Sequence, residues 1–191
     1  MGQVLQEIDD GLRAWLEIQP LFFVASAPLA ADGFVNLSPK GGNSLRVVSP
    51  RQVIYRDGAG SGVETIAHVR ENHRIVIMAC AFEGSPLIVR VHGRGEVLEP
   101  THREFRSYLE LFPRSGTTRA VMRIQVERVA SSCGYGVPLM NFLQSREDSD
   151  TYLSRTSDAA LRSYLKRNNL TSIDGLPGLT ESEIDNVVVY R

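Results

Sequence analysis

The 191-residue chain is 42% hydrophobic and 23% charged, with a formal net charge of −1 at pH 7. That composition supports a folded core and excludes a largely disordered chain. Near-neutral charge, with no basic block interleaved with aromatics, argues against nucleic acid and anionic membrane as partners.

The opening "MGQVLQEIDDGLRAW" carries three acids in its first ten residues and no basic segment ahead of an apolar one, so no signal peptide is expected. Gln6 stands where a myristoylation motif needs Ser or Thr. From Val4, Leu5, Ile8, Leu12, Trp15 and Leu16 the spacing predicts an amphipathic helix over 3–18. The longest apolar run, "LFFVASAPLAA" at 21–31, is broken by Ser26 and Pro28 and is too short to span a bilayer. A cytoplasmic location is expected.

After Pro20 the pattern turns to β. "LFFVASA", "FVNLS", "QVIYR", "RIVIMACAF", "PLIVRVHGRGEVLE" and "RAVMRIQVERVAS" are rich in β-branched residues and bounded by Gly, Pro, Asp or Asn. In the last, Met122, Ile124 and Val126 alternate with Arg123, Gln125 and Glu127, which predicts one buried and one wet face. Helices are predicted at 61–72 and 101–112. Six strands with so few helices do not make regular βαβ units, so the expected class is mainly β, an antiparallel barrel or sandwich. Gly93-Arg94-Gly95 reads as a bulge or bend within its strand.

Beyond Pro138 the composition shifts. The segment 144–151 is polar, 157–169 reads as a helix and 173–179 as a loop. The expected organisation is a β-rich unit over 1–140 with a helical extension over 141–191. Cys80 and Cys133 form no CxxC and read as free thiols.

Two glycine-rich stretches draw attention. "RDGAGSGVET" at 56–65 lacks the glycine at 63 that a dinucleotide fingerprint needs, the lysine of a P-loop, and the flanking glycines of a nucleophile elbow at Ser61. What remains is a capping box, Ser61 with Glu64, and a helix start whose free N–H groups suit an anion, with Thr65 adding a hydroxyl. Glu64 counts against the anion, because its carboxylate competes for the same donors. The second stretch is "FVNLSPKGG" at 34–42, which holds one of only two lysines in a chain with nineteen arginines. Ser38-Pro39 should end the strand, and Gly41-Gly42 let backbone approach a ligand. A solvated hairpin lysine and an anion-binding one both fit that stretch.

Other chemistries are weaker. His68 and His73 miss the i,i+4 spacing of a helical zinc site, and His92 and His102 are isolated, so no metal is expected. Cys133 has no nameable partner base. Ile88, Arg90 and His92 should share one side of their strand, as a salt-bridged rim or a ligand-facing pair.

The blocks "FVNLSPKGG", "GSGVETIAHVRENHRIVIMACAFEGSP", "VRVHGRGEV" and "VERVASSCGYGVP" occur in an order that resembles the pyridoxamine 5′-phosphate oxidase-like family of FMN-binding split barrels, over residues 20–140. The resemblance implies a six-stranded antiparallel Greek-key split barrel that forms a homodimer, with FMN in clefts between subunits. It implies that Asn36, Ser38 and Lys40 run beside the flavin, with Lys40 near its phosphate or ring edge. Arg56, Ser61, Gly62, Glu64 and Thr65 would take the ribityl phosphate, and Arg90 is a further contact. Arg46 and Tyr135 are candidates on the substrate side. Authentic oxidases carry an Arg-Lys pair where this chain has Glu64-Thr65, and the Arg-Leu-x-Pro context for the vitamin B6 substrate is absent from "SIDGLPGLTESEIDNVVVYR". The expected function is therefore an FMN-dependent oxidoreductase acting on an unidentified small molecule. The alternative is a non-catalytic module binding flavin, deazaflavin or haem.

Overall fold

Apolar side chains at every second position bring the chain between Phe22 and Ser132 into one antiparallel sheet. The computed structural model describes residues 2–146, 152 and 155–190. In chain order the elements are β1 (Val4–Leu5), α1 (Asp10–Glu17), β2 (Phe22–Ser26), β3 (Asn36–Lys40), β4 (Leu45–Ser49) and β5 (Gln52–Asp57). Then come α2 (Glu64–Asn72), β6 (Arg74–Cys80), β7 (Ile88–Leu98), α3 (Phe105–Leu109), β8 (Thr117–Thr118) and β9 (Ala120–Ser132). The last three are α4 (Asp158–Asn168), α5 (Glu181–Asp185) and β10 (Val188–Val189).

The sheet runs β3-β2-β6-β7-β9-β5-β4, with β1 added on β9, and curls into a half-barrel of the split-barrel type. It has eight strands rather than six: β4 and β1 were not among the sequence candidates. Phe22, Val24, Ile77, Val91, Met122 and Ile124 fill the concave core with Ile66 of α2. A second cluster, Ile54, Leu98, Val121, Phe105, Leu109 and Phe112, lies under α3 on the other side of β5 and β9. Burial on both faces explains why "VIY" in β5 is apolar without a break. In β9, Met122, Ile124 and Val126 are buried, Gln125 and Glu127 exposed and Arg123 half-buried, as the alternation predicts.

The β7–β9 register shifts between His92 and Gly93, so the glycine-flanked bend is a bulge. An ideal Cβ on Gly93 would lie 2.2 Å from the Gln125 carbonyl oxygen, so only glycine admits the partner strand this closely.

Several boundaries move. The predicted helix over 3–18 begins only at Asp10, where Asp9 caps it by accepting from the Leu12 N–H at 2.7 Å. Val4 and Leu5 pair with β9 and stay exposed. β3 does not end at Ser38; it runs through Pro39 to Lys40, which is tolerated because β3 is an edge strand. The helix predicted over 61–72 starts at Glu64, with Val63 as an N-cap that makes no side-chain bond, so the Ser61–Glu64 capping box does not form. The helix predicted over 101–112 is confined to Phe105–Leu109.

The C-terminal segment folds back onto the barrel. Ser157 caps α4, and Leu161, Leu165, Leu179 and Ile184 join the same buried cluster as the barrel core. Thr180 and Glu183 make the capping box of α5. Of the polar stretch 144–151, residues 147–151 lie outside the described residues. Cys80 is buried and Cys133 exposed, both as free thiols. Among the described residues no helix is long and apolar enough to cross a membrane, and no group of His, Cys, Asp and Glu is arranged to hold a metal.

Candidate functional site

Alternation along β3 sets Asn36, Ser38 and Lys40 on its half-buried face and Leu37 and Pro39 on the exposed one. On that half-buried face, Asn36 Nδ2 donates to Thr65 Oγ1 of α2 at 2.8 Å. Lys40 Nζ donates to Asp57 Oδ1 at 2.6 Å, and sits 5.9 Å from the centre of the Tyr55 ring. The Ser38 Oγ between them is buried and has no hydrogen-bond partner among the described residues. Such an atom is costly to leave unmatched in a finished interior.

Asp57 is the centre of a buried charge cluster. Its second oxygen accepts from Arg119 Nε at 2.8 Å. Arg119 Nη1 also donates to the Gly62 carbonyl at 2.6 Å and to Asn169 Oδ1 at 2.7 Å, while Asn169 Nδ2 donates to the Gly60 carbonyl at 3.0 Å. Burial pushes the Asp57 carboxyl up, but Arg119 and then Lys40 outweigh it and hold the group at about 2. Beside it, burial and then the Asp57 charge push the Tyr55 hydroxyl well above its ordinary range. Two cations on one carboxylate leave a surplus positive charge, and the Lys40 side chain is 18% exposed.

Next to this cluster, His68 is fully buried, with Nδ1 3.0 Å from Ser26 Oγ and Nε2 3.7 Å from Asp174 Oδ2. Asp174 also accepts from the Phe34 N–H, which ties the C-terminal segment to the approach of β3. The Ile173 N–H donates to Glu64 Oε1 at 3.3 Å, and Arg70 binds both the Gly178 carbonyl and Glu183.

The sequence candidates therefore divide. Asn36, Ser38, Lys40 and Thr65 come together on one face. Gly62 joins them through its carbonyl, which accepts from Arg119. Glu64 sits at the start of α2, but its carboxylate folds against Gly62 and takes the Ile173 N–H. Ser61 is exposed and caps nothing. Arg56 faces the other way on β5, donating to the carbonyls of Pro113 and Ser115. Arg90 is in register with Met78, and Met78 with Phe23 and Pro39, so it lies on the sheet face opposite Lys40. Ile88 and His92 share that face, as predicted. Arg46 is bound to Asn43 and the Leu111 carbonyl and stacks on Phe112 at 5.3 Å. Tyr135 is 84% exposed, beyond the end of β9.

The residues fit an anionic, oxygen-rich group such as a flavin phosphate on the Lys40 side of β3. There a surplus cation and the partnerless Ser38 Oγ meet. They do not fit it at the start of α2, where Glu64 already supplies a carboxylate and residues 169–178 cover the turn. Asp57, Arg119, Asn169, Ser26 and Asp174 were not among the sequence candidates, and His68 was weighed only as a metal ligand. Only Asp57 carried a signal, as the residue that continues the buried Val53, Tyr55 alternation in β5.

A family profile described as pyridoxamine 5′-phosphate oxidase matches residues 8–133. Over 194 aligned residues the chain is 37% identical to the pyridoxamine 5′-phosphate oxidase family protein ustO of Aspergillus flavus, covering 91% of this chain and 76% of that protein. Among solved structures, Group A Streptococcus HupZ is similar in fold, at a TM-score of 0.51 and 23% identity, covering 64% of this chain and 91% of that one. A variant of HupZ gives a TM-score of 0.53 at 22% identity, covering 65% of this chain and 99% of that one. Membership in the matched family supports flavin binding in general. On the profile and the relative together, the chain belongs to the pyridoxamine 5′-phosphate oxidase family.

Proposed function

We propose that the chain binds FMN along β3 and works as a homodimeric oxidoreductase on a small molecule. The observation that carries this reading is the β3 face itself: Ser38 Oγ without a partner beside a surplus positive charge at Lys40. Bound FMN would supply hydride or electron transfer, and the protein would hold it, orient it and exclude competing reactions. Asn36, Ser38 and Lys40 are the binding residues, with the phosphate on Lys40 rather than on α2.

The test is the visible spectrum of freshly purified protein, repeated on the supernatant after heat denaturation. A released yellow compound that co-elutes with FMN is expected. Lys40→Ala should weaken FMN about tenfold or more, the scale of a lost hydrogen bond to a charged group. Unchanged affinity in that variant would remove Lys40 from the site. A colourless protein that fails to take up added FMN would end the flavin reading.

One observation favours a second reading, a module that carries flavin, deazaflavin or haem without turnover. Arg119 and Lys40 hold the Asp57 carboxyl at about 2, so the carboxylate beside Lys40 is not poised to donate a proton at neutral pH. Reduction by NADPH or NADH and reoxidation by a panel of acceptors, compared with free FMN, separates the two.

The homodimer reading rests on apolar surface. Phe34, Val35 and Leu37, at the exposed edge strand, are 62%, 75% and 63% exposed. Light scattering at micromolar concentration is expected to give twice the chain mass, and Leu37→Asp to reduce it to one. A wild-type monomer would contradict the proposal.

A further inference from the structure

A groove of about 1130 Å³ lies between the end of α1, the β3–β4 turn, the β6–β7 loop and a strap at residues 140–145. The strap is pinned in place: the Met140 N–H donates to the Phe82 carbonyl at 2.9 Å and the Phe142 N–H to Glu83 Oε1 at 2.7 Å. Trp15, Phe82 and Phe142 give the groove aromatic walls. Ile18, Met140 and Phe142 leave much of their apolar surface to water, at 74%, 54% and 55% exposure. An enclosing trench of this size with exposed apolar walls suits a ligand with an extended apolar body.

Its charge is one-sided. Among the described residues the lining contains Glu17 and Glu83 but no lysine or arginine. Glu17 accepts from the Val47 N–H at 2.8 Å and lies 3.5 Å from Arg13. Glu83 spends one oxygen on the strap, and its Oε2 makes no hydrogen bond among the described residues. We infer that this groove binds an amphipathic organic amine, its apolar or aromatic body against Trp15, Phe82 and Phe142 and its protonated amino group on Glu83. A phosphate ester or carboxylate of the same shape meets two acids there, and the cation nearby, Arg13, already faces Glu17. Asn36, Ser38 and Lys40 are not among its lining residues, so the inference does not depend on the flavin reading.

Trp15 is the only tryptophan, so its emission reports on this groove alone. The probes are phenylbutylamine and phenylbutyrate, which share an apolar body and differ in the sign of their charge. The amine is expected to shift Trp15 emission saturably, at concentrations about tenfold below those of the carboxylate. Glu83→Gln keeps an oxygen to accept the Phe142 N–H. It should weaken the amine about fivefold, the upper range for an exposed ion pair, without weakening the carboxylate. Phe142→Ala, on the exposed strap and away from the core, should weaken both. Equal responses to the two probes, or none, would overturn the inference. So would Trp15 emission that changes on dilution of the protein alone, because a second copy would then fill the groove.

Discussion

Replacing Asp57 with asparagine is expected to destabilise the protein by about 3–5 kcal/mol, the cost of breaking a buried ion pair from one side. The shape of the side chain survives, but Lys40 and the 4% exposed Arg119 are left facing each other with no counter-charge. The same carboxylate sets an acid limit. Its folded pKa of about 2 lies below the unfolded 3.8, so the stability it contributes is complete above about pH 4. That contribution, about 2 kcal/mol, is lost as the pH falls through about 2. Urea unfolding at pH 7 and at pH 3 checks both statements. Wild type should lose stability between them, and Asp57→Asn should lack that component. A variant within about 1 kcal/mol of wild type at pH 7 would mean that the cluster rearranges to solvate the cations.

The second large effect is expected at the bulge. Gly93→Ala places a methyl group 2.2 Å from the Gln125 carbonyl oxygen and 2.8 Å from Ile124 Cγ2, and β7 is held by β6 on its other side. Overpacking of this kind costs about 3 kcal/mol, which lowers the melting temperature of a chain this long by about 10 °C. Gly136→Ala, which has open space around it, is the control and should stay within about 0.5 kcal/mol. A Gly93→Ala melting temperature equal to the control's would show that the register slips at no cost.

The fold was legible where burial follows a simple period. Met122, Ile124 and Val126 announce β9, and the glycine-flanked turn of β7 announces its bulge. β4 stayed hidden because "LRVVS" is short and runs into Ser49-Pro50, which reads as a turn. The N-terminal helix was drawn too long because Val4 and Leu5 happen to continue its 3.6-residue period, while their backbone pairs with β9 instead. At the site, the β3 residues were readable from Lys40 and its glycines. The groups that meet them were not: Arg119 and Asn169 lie 50 residues apart, and no local pattern links them to Asp57. Glu64 was read both as a phosphate contact and as a competitor for the helix N–H groups, and its carboxylate folds against Gly62. The reason it stays there, the Ile173 N–H that it accepts, is 109 residues away.

The path of Asn169 also bears on how the chain comes off a ribosome. Synthesis runs from the N-terminus, and domains tend to fold as their residues emerge. A nascent chain that has reached residue 140 already contains every strand of the large sheet, with Asp57 and Arg119 in place to meet. It lacks Asn169, which takes up Arg119 Nη1, and Leu161, Leu165, Leu179 and Ile184, which complete the buried cluster. Until those residues are made, an apolar face and a charged pair stand open to chaperones and to other unfinished chains. Synthesis of residues 141–184 is thus an interval in which this fold is open to misassembly.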